Sequence, residues 1–92
     1  MTSIQVAEPR WRPRLARAVF LRYDKVRGTD LLMMPERVVV LRGQAGDVLR
    51  LCDGERDVPR IVGELAARFP VAPVTADVPE FLDRMRVEGW LR

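Results

Sequence analysis

The 92 residues contain no histidine, and cysteine, tyrosine, lysine and serine occur once each, as Cys52, Tyr23, Lys25 and Ser3. Histidine is the side chain that titrates near neutral pH and a leading zinc ligand, so its absence removes most hydrolase designs and most zinc sites at once. A lone cysteine forbids an intramolecular disulfide and fits a reducing compartment, and we expect a cytoplasmic protein. No run approaches the about 20 apolar residues of a membrane span, and residues 1–8 lack the apolar core of an export signal. These absences point away from an enzyme, and no cofactor or metal is expected.

Hydrophobic residues make up 48% of the chain and charged ones 32%, the balance of one globular domain. A domain of this length buries only roughly 60–65% of its unfolded surface, which leaves a modest stability margin. Asp47, Asp53, Asp57, Asp77 and Asp83 fall at helix ends or on polar helix faces, and they read as caps and solvated charges rather than as an acid–base or Mg²⁺ site.

Charge is uneven along the chain. Residues 1–27 hold seven basic and two acidic side chains, whereas residues 28–92 hold nine and eleven. Pro9-Arg10-Trp11-Arg12-Pro13-Arg14 is proline-broken and cationic, so residues 1–17 are expected to form an extended or mobile basic arm ahead of a domain spanning 18–92.

Ala18 to Tyr23 reads as a first strand from its β-branched and aromatic content. Arg27-Gly28-Thr29-Asp30 supplies a turn, Leu31–Met34 a second strand, Pro35-Glu36 another turn, and Arg37–Leu41 a third strand. From Leu41 the apolar period changes from two to about 3.6. Leu41, Ala45, Val48, Leu49 and Cys52 then define a first helix that closes at Asp53-Gly54. A second helix opens at Asp57 with Pro59 in its first turn, carries Val58, Ile61, Val62, Leu65, Ala66 and Phe69 on one stripe, and stops at Pro70. Asp77-Val78-Pro79-Glu80 has the spacing of a capping box and predicts the start of a third helix with Val78, Phe81, Leu82 and Met85 inward. Gly89 ends it, and Trp90-Leu91 are predicted to fold back as an apolar latch. The order βββααα is an α+β domain, a three-stranded antiparallel meander followed by three helices in winged-helix style.

The third strand is apolar on both faces, although a three-stranded meander leaves two strands at its edges. An exposed apolar edge is an aggregation hazard unless something covers it. A helix or the N-terminal arm could serve, and so could a partner peptide that adds a strand through main-chain hydrogen bonds. Cys52 lies on the apolar stripe of the first helix with no histidine to activate it, and is read as structural. A winged-helix DNA-binding protein is the alternative that the arginine-rich arm raises. Against it, residues 77–89 carry Asp77, Glu80, Asp83 and Glu88 against Arg84 and Arg86, the wrong charge for phosphates.

A family resemblance joins these observations. Pro35-Glu36 precedes the third strand, Leu41 and Ala45 enter the first helix, and Leu51-Cys52-Asp53-Gly54 leads through Arg56-Asp57-Val58 to Ile61, Leu65 and Phe69-Pro70. Asp77-Val78, Phe81-Leu82 and Gly89-Trp90-Leu91 follow in order. From about Ala18 to Arg92 this arrangement resembles the PqqD family of pyrroloquinoline quinone (PQQ) biosynthesis. Arg42-Gly43-Gln44 departs from the family, whose members often have Asn and Ser or Thr at the start of the first helix.

The resemblance implies a non-catalytic RiPP recognition element that captures the precursor peptide PqqA and presents it to the radical SAM enzyme PqqE. That enzyme would link a glutamate and a tyrosine of the peptide. The family's peptide lies against the third strand and third helix. Carried onto matching positions, one wall would be Arg37, Val38, Val39, Val40 and Leu41, and the other Phe81, Arg84, Met85 and Glu88. Charges such as Arg84 would then select acidic peptide side chains. An uncovered edge also leaves strand exchange between two copies open.

Overall fold

A computed structural model describes residues 10–92, with β1 Phe20–Asp24, β2 Thr29–Met34, β3 Arg37–Val40, α1 Ala45–Arg50, α2 Val58–Arg68 and α3 Val74–Val87. The sheet order is β1-β2-β3 with both neighbours antiparallel, as the meander reading requires. Leu21, Leu32 and Val39 pair across the three strands and share the inward face. Leu32, on the central strand, is completely buried, and it joins Leu49, Ile61, Leu65 and Leu82 from the three helices in one core. Among the described residues no helix is long and apolar enough to cross a membrane.

Several element boundaries differ from expectation, each for a local reason. β1 starts two residues late because Ala18 has φ +66° and lies in a turn closed by Val19 N–H donating to the Ala16 carbonyl. α1 begins at Ala45 rather than Leu41 because Gly43, at φ +57°, interrupts any helix there. Gln44 sits at its N-cap without a side-chain hydrogen bond, in keeping with the unusual Arg42-Gly43-Gln44 stretch. Cys52 lies just past that helix, still in the core.

α2 starts where its capping chemistry predicts, with the Asp57 carboxylate accepting from Arg60 N–H at 3.0 Å. α3, by contrast, opens at Val74, and the expected cap Asp77 is inside its first turn, donating its own N–H to the Pro73 carbonyl. Val74 and Val78 are both buried, so the apolar stripe gains a turn ahead of the start expected at Asp77. Pro79 is carried within the helix at the cost of one backbone hydrogen bond.

The largest departure concerns residues 10–17. The arm expected to precede the domain is bound to it from residue 10 onward, while residues 1–9 lie outside the described part. Arg14 N–H donates to the Arg92 carbonyl at 3.0 Å and Arg92 N–H returns to Arg14 at 2.8 Å, so Leu15 faces Leu91 in a short bridge. Ala16 donates to Trp90, and Gly54 donates to Pro13. Pro13 is buried, and Trp11 packs partly against the core. The predicted latch therefore closes, with Leu91 only 3% exposed, and what it closes on is the arm.

Candidate binding site

The hydrogen-bonding phase of β3 decides which of its backbone groups are available. Leu41 N–H donates to the Asp30 carbonyl at 2.9 Å, and β3 runs in register with β2 through Leu31↔Val40, Leu32↔Val39, Met33↔Val38 and Met34↔Arg37. Antiparallel ladders alternate, so Leu32–Val39 and Met34–Arg37 are the bonded pairs that follow Asp30–Leu41. The N–H and C=O of Val38 and Val40 therefore point away from β2, along the outer edge. Among the described residues neither makes a backbone hydrogen bond to another element. The side chains of Val38 and Val40 are 51% and 46% exposed, on the sheet face opposite the core. Such an edge offers another extended chain two donors, two acceptors and flanking apolar surface.

The other predicted site residues divide by burial. Leu41 and Met85 are core residues, 9% and 8% exposed, and support the strand and helix from within instead of offering contact surface. Val39 and Phe81 are half-buried and pack against the same core. Arg84 and Glu88 are exposed. Arg37 is exposed at the start of β3, with its guanidinium 5.2 Å from the centre of the Trp90 ring. That contact joins β3 to the segment following α3.

Trp90 was expected only as part of the latch. With Val19, Met34, Pro35, Glu36, Arg37 and Gly89 it lines an open depression at the β2–β3 turn. Its backbone is held from both sides: Trp90 N–H donates to the Met85 carbonyl, and its own carbonyl accepts from Ala16. Gly89, at φ +82°, makes the reversal that brings the ring back toward β3. The linear spacing of Arg37 and Trp90 carries no signal of this contact, because it forms only when the segment after α3 turns back onto the sheet. A separate apolar cavity of about 60 Å³ lies among α1, α2 and α3, lined by Val48, Leu65, Phe69, Val74 and Val78, away from β3.

Nucleophilic chemistry has little footing here. Burial, reinforced by the neighbouring Asp53 carboxylate, pushes the Cys52 thiol up to about 12, and its Sγ donates to the Val48 carbonyl. A thiol in that state remains protonated at neutral pH. Asp53 and Asp57, in contrast, are held below the usual carboxylate range by backbone N–H groups, those of Glu55 and Arg56 for the first and of Arg60 for the second. Both act as local anchors. Asp77, Glu80, Asp83 and Glu88 are all exposed on or just after α3, an acidic display at odds with a helix that enters DNA.

Residues 31–91 match the family described as Coenzyme PQQ synthesis protein D (PqqD). A PqqA binding protein of Pseudomonas aeruginosa (strain UCBPP-PA14) is 35% identical over 80 residues, covering 86% of this chain and 87% of that protein. One from Rhizobium meliloti (strain 1021) is 36% identical over 80 residues, covering 85% and 82%. Among solved structures, the PqqD truncation of Methylobacterium extorquens PqqCD, described as a functional and stand-alone RiPP recognition element, superposes with a TM-score of 0.71 at 35% identity, covering 87% of each chain.

Proposed function

Because this chain belongs to the PqqD family, we propose that it is a non-catalytic peptide-binding module of PQQ synthesis that receives the precursor PqqA as an added strand on β3 and presents it to the radical SAM enzyme PqqE. The observation that carries this reading is the bare outer edge of β3, where the backbone groups of Val38 and Val40 face outward without a partner among the described residues. An extended peptide that pairs there obtains directional hydrogen bonds from the main chain. Its alternate side chains then fall on the exposed Val38–Val40 face or on the opposite one, where the family resemblance would put Phe81 and Arg84. Chemistry on the peptide is left to the partner enzyme, and the cytoplasm is the compartment in which the lone thiol stays reduced.

The test is an amide NMR titration with a synthetic PqqA peptide, repeated with a charge-matched scramble. Saturable shifts over Arg37–Leu41 and Phe81–Glu88 with PqqA alone are expected. Silence in both regions, or diffuse shifts on Arg10–Arg17 with either peptide, would overturn the reading and favour an electrostatic partner such as nucleic acid. Adding PqqE to the loaded module tests presentation: the expected result is a ternary complex, and displacement of the peptide on PqqE binding would exclude it. The same bare edge leads us to propose strand exchange between two copies at high concentration, which sedimentation across a concentration series would detect.

A further inference from the structure

We propose that Arg37, whose guanidinium lies over the Trp90 ring, is a carboxylate receptor at one end of β3 and selects an acidic side chain of the bound peptide. This deepens the strand-addition reading and rests on it. Arg37 is the first residue of β3, exposed, and forms no ion pair with a carboxylate among the described residues, although Glu36 precedes it and lines the same depression. Its guanidinium sits 5.2 Å from the Trp90 ring centre. An arginine lying on an aromatic face loses little of its hydrogen-bonding capacity, because its five N–H groups radiate in the guanidinium plane. Stacking also removes much of the rotamer freedom that an isolated surface arginine would lose on binding.

Trp90 is a fixed platform. Both its backbone N–H and its carbonyl are bonded, and the adjacent Leu91 is buried. Val19, Met34 and Pro35 line the same open depression beside the cation, and a bidentate charge-assisted pair is the stronger kind of hydrogen bond. The geometry favours a planar bidentate acceptor, a Glu or Asp carboxylate, over a hydroxyl or an amide.

Two synthetic peptides test this, PqqA and a copy with every Glu replaced by Gln and every Asp by Asn, called the Gln copy, read by the two tryptophan indole N–H signals and by affinity. PqqA should shift the Trp90 indole while leaving Trp11 in place, and the Gln copy should bind about tenfold more weakly, the scale of one charge-assisted pair. Arg37→Gln should lower PqqA affinity to that of the Gln copy and leave the Gln copy unchanged, and Arg37→Lys should not restore discrimination. Trp90→Phe, which keeps an aromatic face, should retain most of it. Equal affinity of the two peptides for the natural protein overturns the proposal, as does an equal loss for both on Arg37→Gln. Shifts along Val38–Val40 with a still Trp90 indole would leave strand addition standing and remove the Arg37 receptor. No response in either place would remove both.

Discussion

Residues 14–16 and residues 38–40 are both extended segments at the margin of the fold, with opposite surroundings. The first is paired on its backbone to Trp90 and Arg92 and presses Leu15 against Leu91. The second is paired on one side only and shows two valines to solvent. The molecule thus closes one margin with its own C-terminus and leaves the other bare, although Val38-Val39-Val40 has the higher β-propensity of the two. An open strand that is merely tolerated would carry a proline or a charge directed outward; β3 has valine at both outward positions. The comparison suggests that one edge belongs to stability and the other to binding, and this division can be broken by experiment.

The largest effect should come from the closed margin. Leu91→Ala removes a side chain that is 3% exposed, and we expect a loss of about 2–5 kcal/mol from urea unfolding midpoints. That is a large fraction of the stability of a domain this small. A loss below about 1 kcal/mol would mean that the terminal pairing is ornamental and that residues 18–89 fold without it.

Adjacent prolines on the open margin sharpen the contrast. Val39→Pro removes an N–H that the ladder phase assigns to Leu32 and should cost about 1–3 kcal/mol, the desolvation cost of the stranded carbonyl. Val38→Pro removes an N–H that points outward, so its folding cost should stay near or below about 1 kcal/mol, as proline is tolerated at that side of an edge strand. Its affinity for PqqA should nevertheless fall about tenfold, equivalent to about 1.4 kcal/mol. Equal destabilisation by the two prolines would mean that the phase of β3 is misassigned, and unchanged peptide affinity for Val38→Pro would move the peptide elsewhere.

Much of this arrangement was legible in the residues themselves, because it depends on local chemistry. The strands follow from β-branched runs punctuated by Gly28 and Pro35, α2 from an Asp57 cap and one apolar stripe, and the apolar character of β3 from four consecutive aliphatic residues. The misreadings share a different cause. Asp77 and Glu80 have the spacing of a capping box, but Val74, three residues upstream, has a place in the core, and burying it extends the helix past the local signal. Arg10 to Arg17 look like a free arm because prolines and arginines deny regular structure, yet the pairing that fixes them lies at the far end of the chain. Trp90 was missed as site material for the same reason: its approach to Arg37 is a tertiary contact between distant parts of the chain.

A smaller effect is expected at Trp11, whose indole Nε1 is buried without a hydrogen-bond partner. Leaving such a donor unpaired carries a desolvation cost, so Trp11→Phe should be neutral or stabilising by up to about 1 kcal/mol despite some weakening of the stack with Arg86, at 4.3 Å from the ring. Clear destabilisation would show that the Arg86 contact or the ring volume outweighs the stranded N–H.

The smallest effect separates the two margins by pH. Asp53 and Asp57 flank the closed margin: Asp53 lies opposite Arg14 in a backbone bridge, and Asp57 is 3.3 Å from the Arg10 guanidinium. Both carboxyls are held below their ordinary value in the folded protein, chiefly by backbone N–H groups, with Arg56 and Arg10 adding to the effect. A carboxyl with a depressed folded pKa contributes stability that is complete above its unfolded pKa, about 3.9 for aspartate, and that is lost as pH falls through the folded value. Acidification below about pH 4 should therefore loosen the closed margin first. Amide exchange at Arg14, Gly54 and Arg92 should accelerate relative to Leu32 and Val39 at the centre of the β2–β3 ladder. Asp53→Asn keeps an oxygen for the N–H groups of Glu55 and Arg56 but cannot take up the proton, so it should flatten this dependence. Parallel loss of protection at both margins, or an undiminished pH dependence in Asp53→Asn, would mean that acid acts on the fold as a whole and that these two carboxylates do not anchor the terminal pairing.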